Sequence, residues 1–275
     1  MRVALCQLPV SSAPPANLDR VRAAVADAAQ SGARLAVFPE GTQARFSADL
    51  RAVAEPLDGP FCTGLADIAR AHGVAVVAGV FESAPDGRVF NTTVGYDTDG
   101  QLAAAYRKIH LFDALGHRES DNVAPGDELV IADLAGVRVG FLTCYDIRFP
   151  ELARSLAAGG AQLLVVPAAW AAGLFKEEHW VTLVRARAIE NTIWVAAAGQ
   201  VPDPAEPPTR APTGIGRSML VDPMGVVKLD LGPAAAVTTG QVDLDYTDTV
   251  RGALPCLANR RDDLFPAARL SAPAR

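Results

Sequence analysis

Lysine is scarce in this chain. Of 25 basic residues only Lys108, Lys176 and Lys228 are lysine, and the other 22 are arginine. A sequence that takes arginine nearly everywhere yet keeps a lysine marks a position suited to a compact, titratable ammonium. Cysteine is scarce as well: Cys6, Cys62, Cys144 and Cys256 lie far apart and form no C-x-x-C pair. That excludes zinc-ligand spacing; the reducing compartment expected of a cytoplasmic protein argues against a disulfide framework and leaves a small buried hydrophobe as the ordinary role of each thiol. No apolar run approaches the ~18–20 residues of a membrane span. No block of Lys and Arg supplies the field that nucleic acid or an anionic membrane requires, and the net charge is −6. Met1–Val10 carries a single Arg and lacks the h-region and small-residue cleavage site of a secretory signal, so it reads as a first buried strand of a cytoplasmic protein.

What is present is core material. Half of the 275 residues are hydrophobic and a fifth are charged, an ordinary globular balance. Strand-like runs alternate with amphipathic helices throughout. Val3–Leu8 reads as a strand, followed by a helix capped by Asn17 and stopped by Gly32. Leu35–Phe38 is a short strand, Pro60–His72 a helix closed at Gly73, and Val74–Phe81 a strand. Val89–Asp97 and Leu102–Ile109 form a hairpin, as do Leu129–Leu134 and Val137–Leu142. Phe149–Ala158 and Lys176–Asn191 read as helices, Leu163–Pro167 and Trp194–Ala198 as strands. A Pro-rich loop spans Val201–Pro212. Ser218–Val221 and Val226–Leu231 flank a turn, Val237–Leu244 reads as the last long strand, and a weakly helical end frays into Ser271–Arg275. No repeat or shift in composition divides the chain, so 1–275 reads as one domain with mixed sheets covered by helices.

Three strand ends carry groups capable of chemistry. Cys144 follows the apolar run Val139–Thr143, where nearby backbone N–H groups and a following helix would lower a thiol's pKa and receive an oxyanion. Glu40 follows Leu35–Pro39, and Lys108 follows Leu102–Arg107. A base, a nucleophile and a cation at converging strand ends make a coherent acyl-transfer set. Glu119, in a loop, is a candidate fourth member. His110 offers an alternative partner for Cys144 without any spacing that favours it, and His72, His117 and His179 show no ligand spacing. Gly214-Ile215-Gly216 opens like a dinucleotide loop, but Met219 stands where the third glycine belongs. Asn91-Thr92-Thr93 is a glycosylation sequon by letter.

Phe38-Pro39-Glu40, Tyr106–Asp113 and Thr143–Glu151 together resemble the three signature segments of the nitrilase superfamily of carbon–nitrogen hydrolases. Pro167–Trp170, Arg185–Asn191 and Ser218–Gly225 match further along, in order. The resemblance implies a four-layer α-β-β-α sandwich, usually dimerising to extend its layers. It implies Glu40 as general base, Lys108 as cation, Cys144 as nucleophile and Glu119 as a second, orienting glutamate. Cys144-Tyr145-Asp146-Ile147-Arg148-Phe149-Pro150 is similar to the branch of omega-amidases and deaminated-glutathione amidases; true nitrilases place Trp-Glu after the Cys. The chain departs from that branch in a shortened Lys108–Glu119 loop, and in Arg217 where a His usually precedes the serine.

The resulting expectation is an amidase without metal or organic cofactor, acting on a small, carboxylate-bearing amide through a cysteine thioester. Tyr145, Arg148, Trp170 and Phe175 are candidate pocket residues. Arg148 suits a substrate carboxylate or a structural salt bridge equally, and Trp170 suits pocket or core. The competing readings are an N-carbamoyl or nitrile hydrolase of the same superfamily, a non-catalytic binding protein that keeps the fold, and a redox-responsive thiol protein.

Overall fold

The computed structural model describes residues 1–261, 263 and 264. Its central strands are buried on both faces, which is why they read as continuous apolar runs. In β1 (Arg2–Gln7), Val3 and Leu5 join one core while Ala4 and Cys6 join another. The alternation repeats in β2 (Leu35–Val37) and β3 (Ala75–Ser83), where Leu35, Val37, Ala75 and Val77 face one way and Ala36, Val76 and Ala78 the other. Side chains alternate across a strand, so each strand supplies both cores at once.

The inner core lies between two sheets. The first runs in the order β13 (Ala236–Gln241), β1, β2, β3, β4 (Val89–Tyr96), β5 (Leu102–Arg107), with β6 (Val123–Ala124) also paired to β4. The second runs β12 (Val227–Asp230), β11 (Met219–Val221), β10 (Trp194–Gly199), β9 (Leu163–Ala168), β8 (Val137–Phe141), β7 (Ile131–Leu134). Each has three parallel strands at its centre, β1-β2-β3 and β8-β9-β10, extended by antiparallel neighbours. Leu134, Val139, Phe141 and Val195 of the second sheet meet Val3, Leu5 and Tyr106 of the first.

Helices close the outer faces. Val21 and Val25 of α1 (Pro14–Gln30), with Leu65 and Ile68 of α3 (Pro60–His72), cover the first sheet. Leu152 and Leu156 of α4 (Pro150–Ala158), with Trp180 and Val184 of α5 (Lys176–Asn191), cover the second. Burying one such side chain contributes about 1.5–3 kcal/mol, and a helix with one apolar face finds that burial only against a sheet. The result is the expected α-β-β-α sandwich. Among the described residues no helix is long and apolar enough to cross a membrane.

Several boundaries differ from the sequence reading. α1 starts at Pro14, whose missing N–H and fixed φ suit a first helical position, and Asn17 caps nothing. Its buried side chain instead accepts from the Ser11 amide and donates to the Gln43 carbonyl, tying the helix to the loop after Glu40. The last long strand stops at Gln241. Asp243 then accepts from the amides of Asp245 and Tyr246 and starts α6 (Leu244–Ala253). A short α2 (Leu50–Val53), capped by Asp49, was not foreseen. The expected fraying of Ser271–Arg275 lies outside the described residues.

Candidate active site

Glu40 and Lys108 follow β2 and β5 of the first sheet, whereas Cys144 follows β8 of the second. The three groups therefore meet at the seam between the sheets. Glu40 is almost fully buried: Oε1 accepts from Lys108 Nζ at 2.9 Å and from Asn91 Nδ2 at 2.8 Å, and Oε2 accepts from the Ala169 amide at 2.8 Å. Its backbone is clamped as well. Gln200 Nε2 donates to the Glu40 carbonyl at 2.5 Å, and Gly79 packs so tightly that an added Cβ would lie 2.8 Å from Glu40 Cα.

Lys108 is equally buried and bridges two carboxylates. Besides Glu40, its ammonium donates to Glu119 Oε2 at 2.8 Å and Oε1 at 3.1 Å. Glu119 is fixed in turn by the Phe112 amide at 2.6 Å and by Asn91 Nδ2 at 3.1 Å. Burial alone would push the ammonium's pKa down, but Glu119 and Glu40 outweigh it and hold Lys108 well above the ordinary lysine range.

Cys144 sits at φ 48°, a left-handed conformation that costs a non-glycine residue about 1–3 kcal/mol. It opens a 3-10 turn, Cys144–Arg148, that Thr143 and Asp146 close as a reciprocal capping box. Burial raises the thiol's pKa well above its ordinary value, the neighbouring Glu40 charge adds to the rise, and Lys108 opposes it. This corrects the expectation of a lowered value: the turn is one short 3-10 stretch, α4 begins only at Pro150, and a carboxylate stands beside the sulfur. The thiol is thereby held toward its neutral form, with the Glu40 carboxylate beside it.

A carbon-nitrogen hydrolase family model matches residues 2–252. The chain belongs to that family. This carbon–nitrogen hydrolase is 44% identical over 270 residues to a hydrolase of Mycobacterium tuberculosis, covering 95% of this chain and 96% of the relative. It is 36% identical over 265 residues to the deaminated glutathione amidase of Escherichia coli O157:H7, covering 95% and 97%. Among solved structures it is similar to the C. elegans NitFhit protein, with a TM-score of 0.89 at 30% identity over 99% of this chain and 68% of that one. It is also similar to a Glu-to-Gln mutant of the amidase from Nesterenkonia, in which the acetamide moiety of fluoroacetamide is attached to the active-site cysteine. There the TM-score is 0.81 at 28% identity, covering 96% and 95%.

Within the hydrolase, Glu40, Lys108, Glu119 and Cys144 line one cavity of about 210 Å³. Tyr145 and Trp170 line it too, as do Phe112, His117 and Lys176. Arg148 and Phe175 are not among its lining residues. The Arg148 guanidinium lies over the Trp170 ring, 4.7 Å from its centroid, and Phe175 is 67% exposed. The Pro-rich loop contributes Ala211 and Pro212 to the cavity mouth and is held down by Glu206, which accepts from Arg45 and from the Ser12 amide. Arg217 stands away from the cavity, paired with Asp230 and Glu177.

Two site residues escaped the sequence reading. Asn91, spelled as a glycosylation sequon, is fully buried and holds both glutamates. Asp146 accepts four hydrogen bonds: from the amides of Thr143 and His110, from His110 Nδ1 and from the Tyr106 hydroxyl. His110 is thereby committed to Asp146 and stacked on Phe149, which removes it as a partner for Cys144. The sequence signal for Asp146 was its place two residues after the cysteine and three after Thr143; its other partners, Tyr106 and His110, lie about forty positions away and no local pattern names them. Arg187 adds a brace from α5 by donating to the Ile147 carbonyl at 2.8 Å. Among the described residues no cluster of His, Cys, Asp and Glu is arranged to hold a metal ion.

Proposed function

We propose that this hydrolase is a cysteine amidase that converts a small, carboxylate-bearing amide and water to the acid and ammonia. The observation that carries the reading is the shared cavity of Glu40, Lys108 and Cys144, in which a neutral thiol faces a fixed carboxylate and an ammonium held fully charged.

Glu40 takes the thiol proton as Cys144 Sγ attacks the amide carbonyl carbon. The oxyanion that forms is held by the Lys108 ammonium and the Tyr145 backbone N–H. As the tetrahedral species collapses, the C–N bond breaks, Glu40 returns its proton to the nitrogen, and ammonia leaves a thioester on Cys144. Water then attacks that carbonyl with Glu40 again accepting a proton. The C–S bond breaks and the thiol is restored. Glu119 and Asn91 hold Lys108 and Glu40 throughout.

A buried set of two carboxylates and one ammonium is a poor stabilising device, because desolvation offsets most of the Coulomb attraction; a reaction that uses each member accounts for it. The amide-named relatives and the acetamide-labelled cysteine of the Nesterenkonia enzyme support the same reading. Ammonia release from a panel of omega-amides, N-carbamoyl compounds and nitriles by the wild type and by Cys144→Ala and Cys144→Ser tests it. Amide turnover by the wild type that both variants lose is expected; turnover retained in both removes the nucleophile.

A further inference from the structure

Lys176 is a second lysine in the catalytic cavity, and the mechanism above does not use it. Its surroundings are unusual. The residue is 95% buried, yet among the described residues no carboxylate forms an ion pair with it, and the Arg148 guanidinium acts on it with a charge of the same sign. Its ammonium rests instead on aromatic faces, 4.3 Å from the Trp170 centroid and 4.9 Å from that of Phe112. Trp170 Nε1 donates to the Lys176 carbonyl at 2.7 Å, so one tryptophan fixes both the backbone and the headgroup of this lysine.

The backbone is bent to achieve this placement. Phe175 takes φ 57° at the start of α5, and the chain thereby exposes a phenylalanine and buries the lysine beside it. Hydrophobic partition alone gives the reverse arrangement, since a buried Phe contributes about 1.5–3 kcal/mol and a lysine is almost never buried without a partner. The glycine two residues before this bend is prepared as well. A Cβ on Gly173 would lie 3.2 Å from Lys176 Cγ, so the absent side chain makes room for the lysine stem. Strain, lost burial and an unpaired charge all favour the same purpose: a cation presented to the cavity without an anion of the protein's own.

We propose that Lys176, rather than Arg148, anchors the carboxylate of the amide substrate and sets the preference for an anionic over a neutral amide. The inference rests on the amidase reading and names the residue that selects the substrate. Lys108 does not serve this purpose, because two glutamates already neutralise it. Arg148 lies over Trp170 and outside the cavity lining. Burial lowers the pKa of the Lys176 ammonium, as expected for a cation awaiting its counter-ion. The small cavity limits the substrate to a short chain between its carboxylate and the scissile carbonyl.

The test compares kcat/KM for succinamate with that for butyramide, its uncharged counterpart of equal length, in the wild type, Lys176→Met, Lys176→Arg and Arg148→Met. Loss of one charge-assisted contact corresponds to about 10- to 100-fold. Lys176→Met is expected to lower kcat/KM for succinamate by that factor, chiefly through KM, and to leave butyramide within about threefold. Lys176→Arg is expected to recover part of the loss, and Arg148→Met to keep the wild-type preference. Equal losses on both amides, an unchanged succinamate rate, or a wild type that hydrolyses butyramide without favouring succinamate would each overturn the inference while leaving the amidase reading intact. A wild type that releases ammonia from neither amide, nor from any other in the panel, sinks both. Binding of succinate to Cys144→Ala protein, by calorimetry, provides a readout independent of turnover. Lys176→Met in that background is expected to abolish binding with the melting temperature retained, and unchanged binding would contradict the assignment.

Discussion

The Tyr106 hydroxyl donates a 2.6 Å hydrogen bond to Asp146 Oδ2, and this contact joins the strand that delivers Lys108 to the turn that delivers Cys144. Tyr106 is fully buried, and burial together with the Asp146 charge keeps its hydroxyl protonated by raising its pKa well above the ordinary tyrosine value. Tyr106→Phe removes one charge-assisted bond from a buried carboxylate. The expected cost is about 1–3 kcal/mol of stability, with kcat reduced about tenfold and KM little changed. Denaturant unfolding and steady-state kinetics check it; a variant with wild-type kcat would show that the two sheets hold their groups in register without this bond.

Glu119→Gln removes one of the two negative charges on Lys108. Breaking a buried ion pair costs about 3–5 kcal/mol. The folded-state pKa of Lys108 lies well above its unfolded value, so the stability it contributes is complete below about pH 10.4 and is lost as pH rises through the folded value. The melting temperature of the variant is therefore expected to fall below the wild type at pH 7–9, with the gap closing only under strongly alkaline conditions. A gap that stays the same from neutral into strongly alkaline pH would contradict the electrostatic account.

Glu40→Gln removes a charge that raises the pKa of the Cys144 thiol and the acceptor of its hydrogen bond. Both changes act in one direction, so the thiol is expected to titrate at lower pH in the variant. The rate of alkylation by iodoacetamide against pH measures this directly. Amide turnover is expected to fall about 10²- to 10⁴-fold at the same time. A more readily ionised yet less productive thiol separates the proton shuttle from simple activation of the sulfur.

Glu206 holds the Pro-rich loop whose Ala211 and Pro212 border the cavity. The hydrogen bond from the Ser12 amide leads the lowering of its carboxyl pKa, with Arg45 contributing. Because the folded value is depressed, the latch is present above the ordinary glutamate pKa and is lost as pH falls through the folded one. Glu206→Ala is expected to raise KM and to speed proteolysis within 203–212 at neutral pH, while kcat holds. Unaltered cleavage and KM would show that the loop needs no latch.

The fold was legible where chemistry is local. Pro60 at the first helical position and Gly73 at φ 61° bracket α3 at the boundaries read from the sequence. β1, β2 and β9 were plain because both their faces are buried. The reading failed where a short polar residue chose among several local roles. Asn17 has the chemistry of a helix cap but is spent on bonds to Ser11 and Gln43, and Asp243 ended a strand that its apolar neighbours seemed to extend. Glu40, Lys108 and Cys144 were legible as a set because each follows an apolar strand. Asp146 was not, because Tyr106 and His110 reach it only through the way the two sheets face each other. Asn91 was not, because strand pairing within the first sheet brings Glu40 and Glu119 to it from distant positions. The Phe175–Lys176 inversion was hidden for a related reason: composition marked the lysine as rare but not the direction in which it points.

The central claim is that Cys144 carries the acyl group through a thioester. Mass spectrometry of protein quenched in acid during turnover of an accepted amide, followed by peptide mapping, tests it most directly. The account predicts an added acyl mass on the peptide containing Cys144 in the wild type or in Glu40→Gln, where both proton transfers are slowed, and none in Cys144→Ala. Ammonia release with no adduct at Cys144 in either protein, or an adduct on another residue, would contradict it.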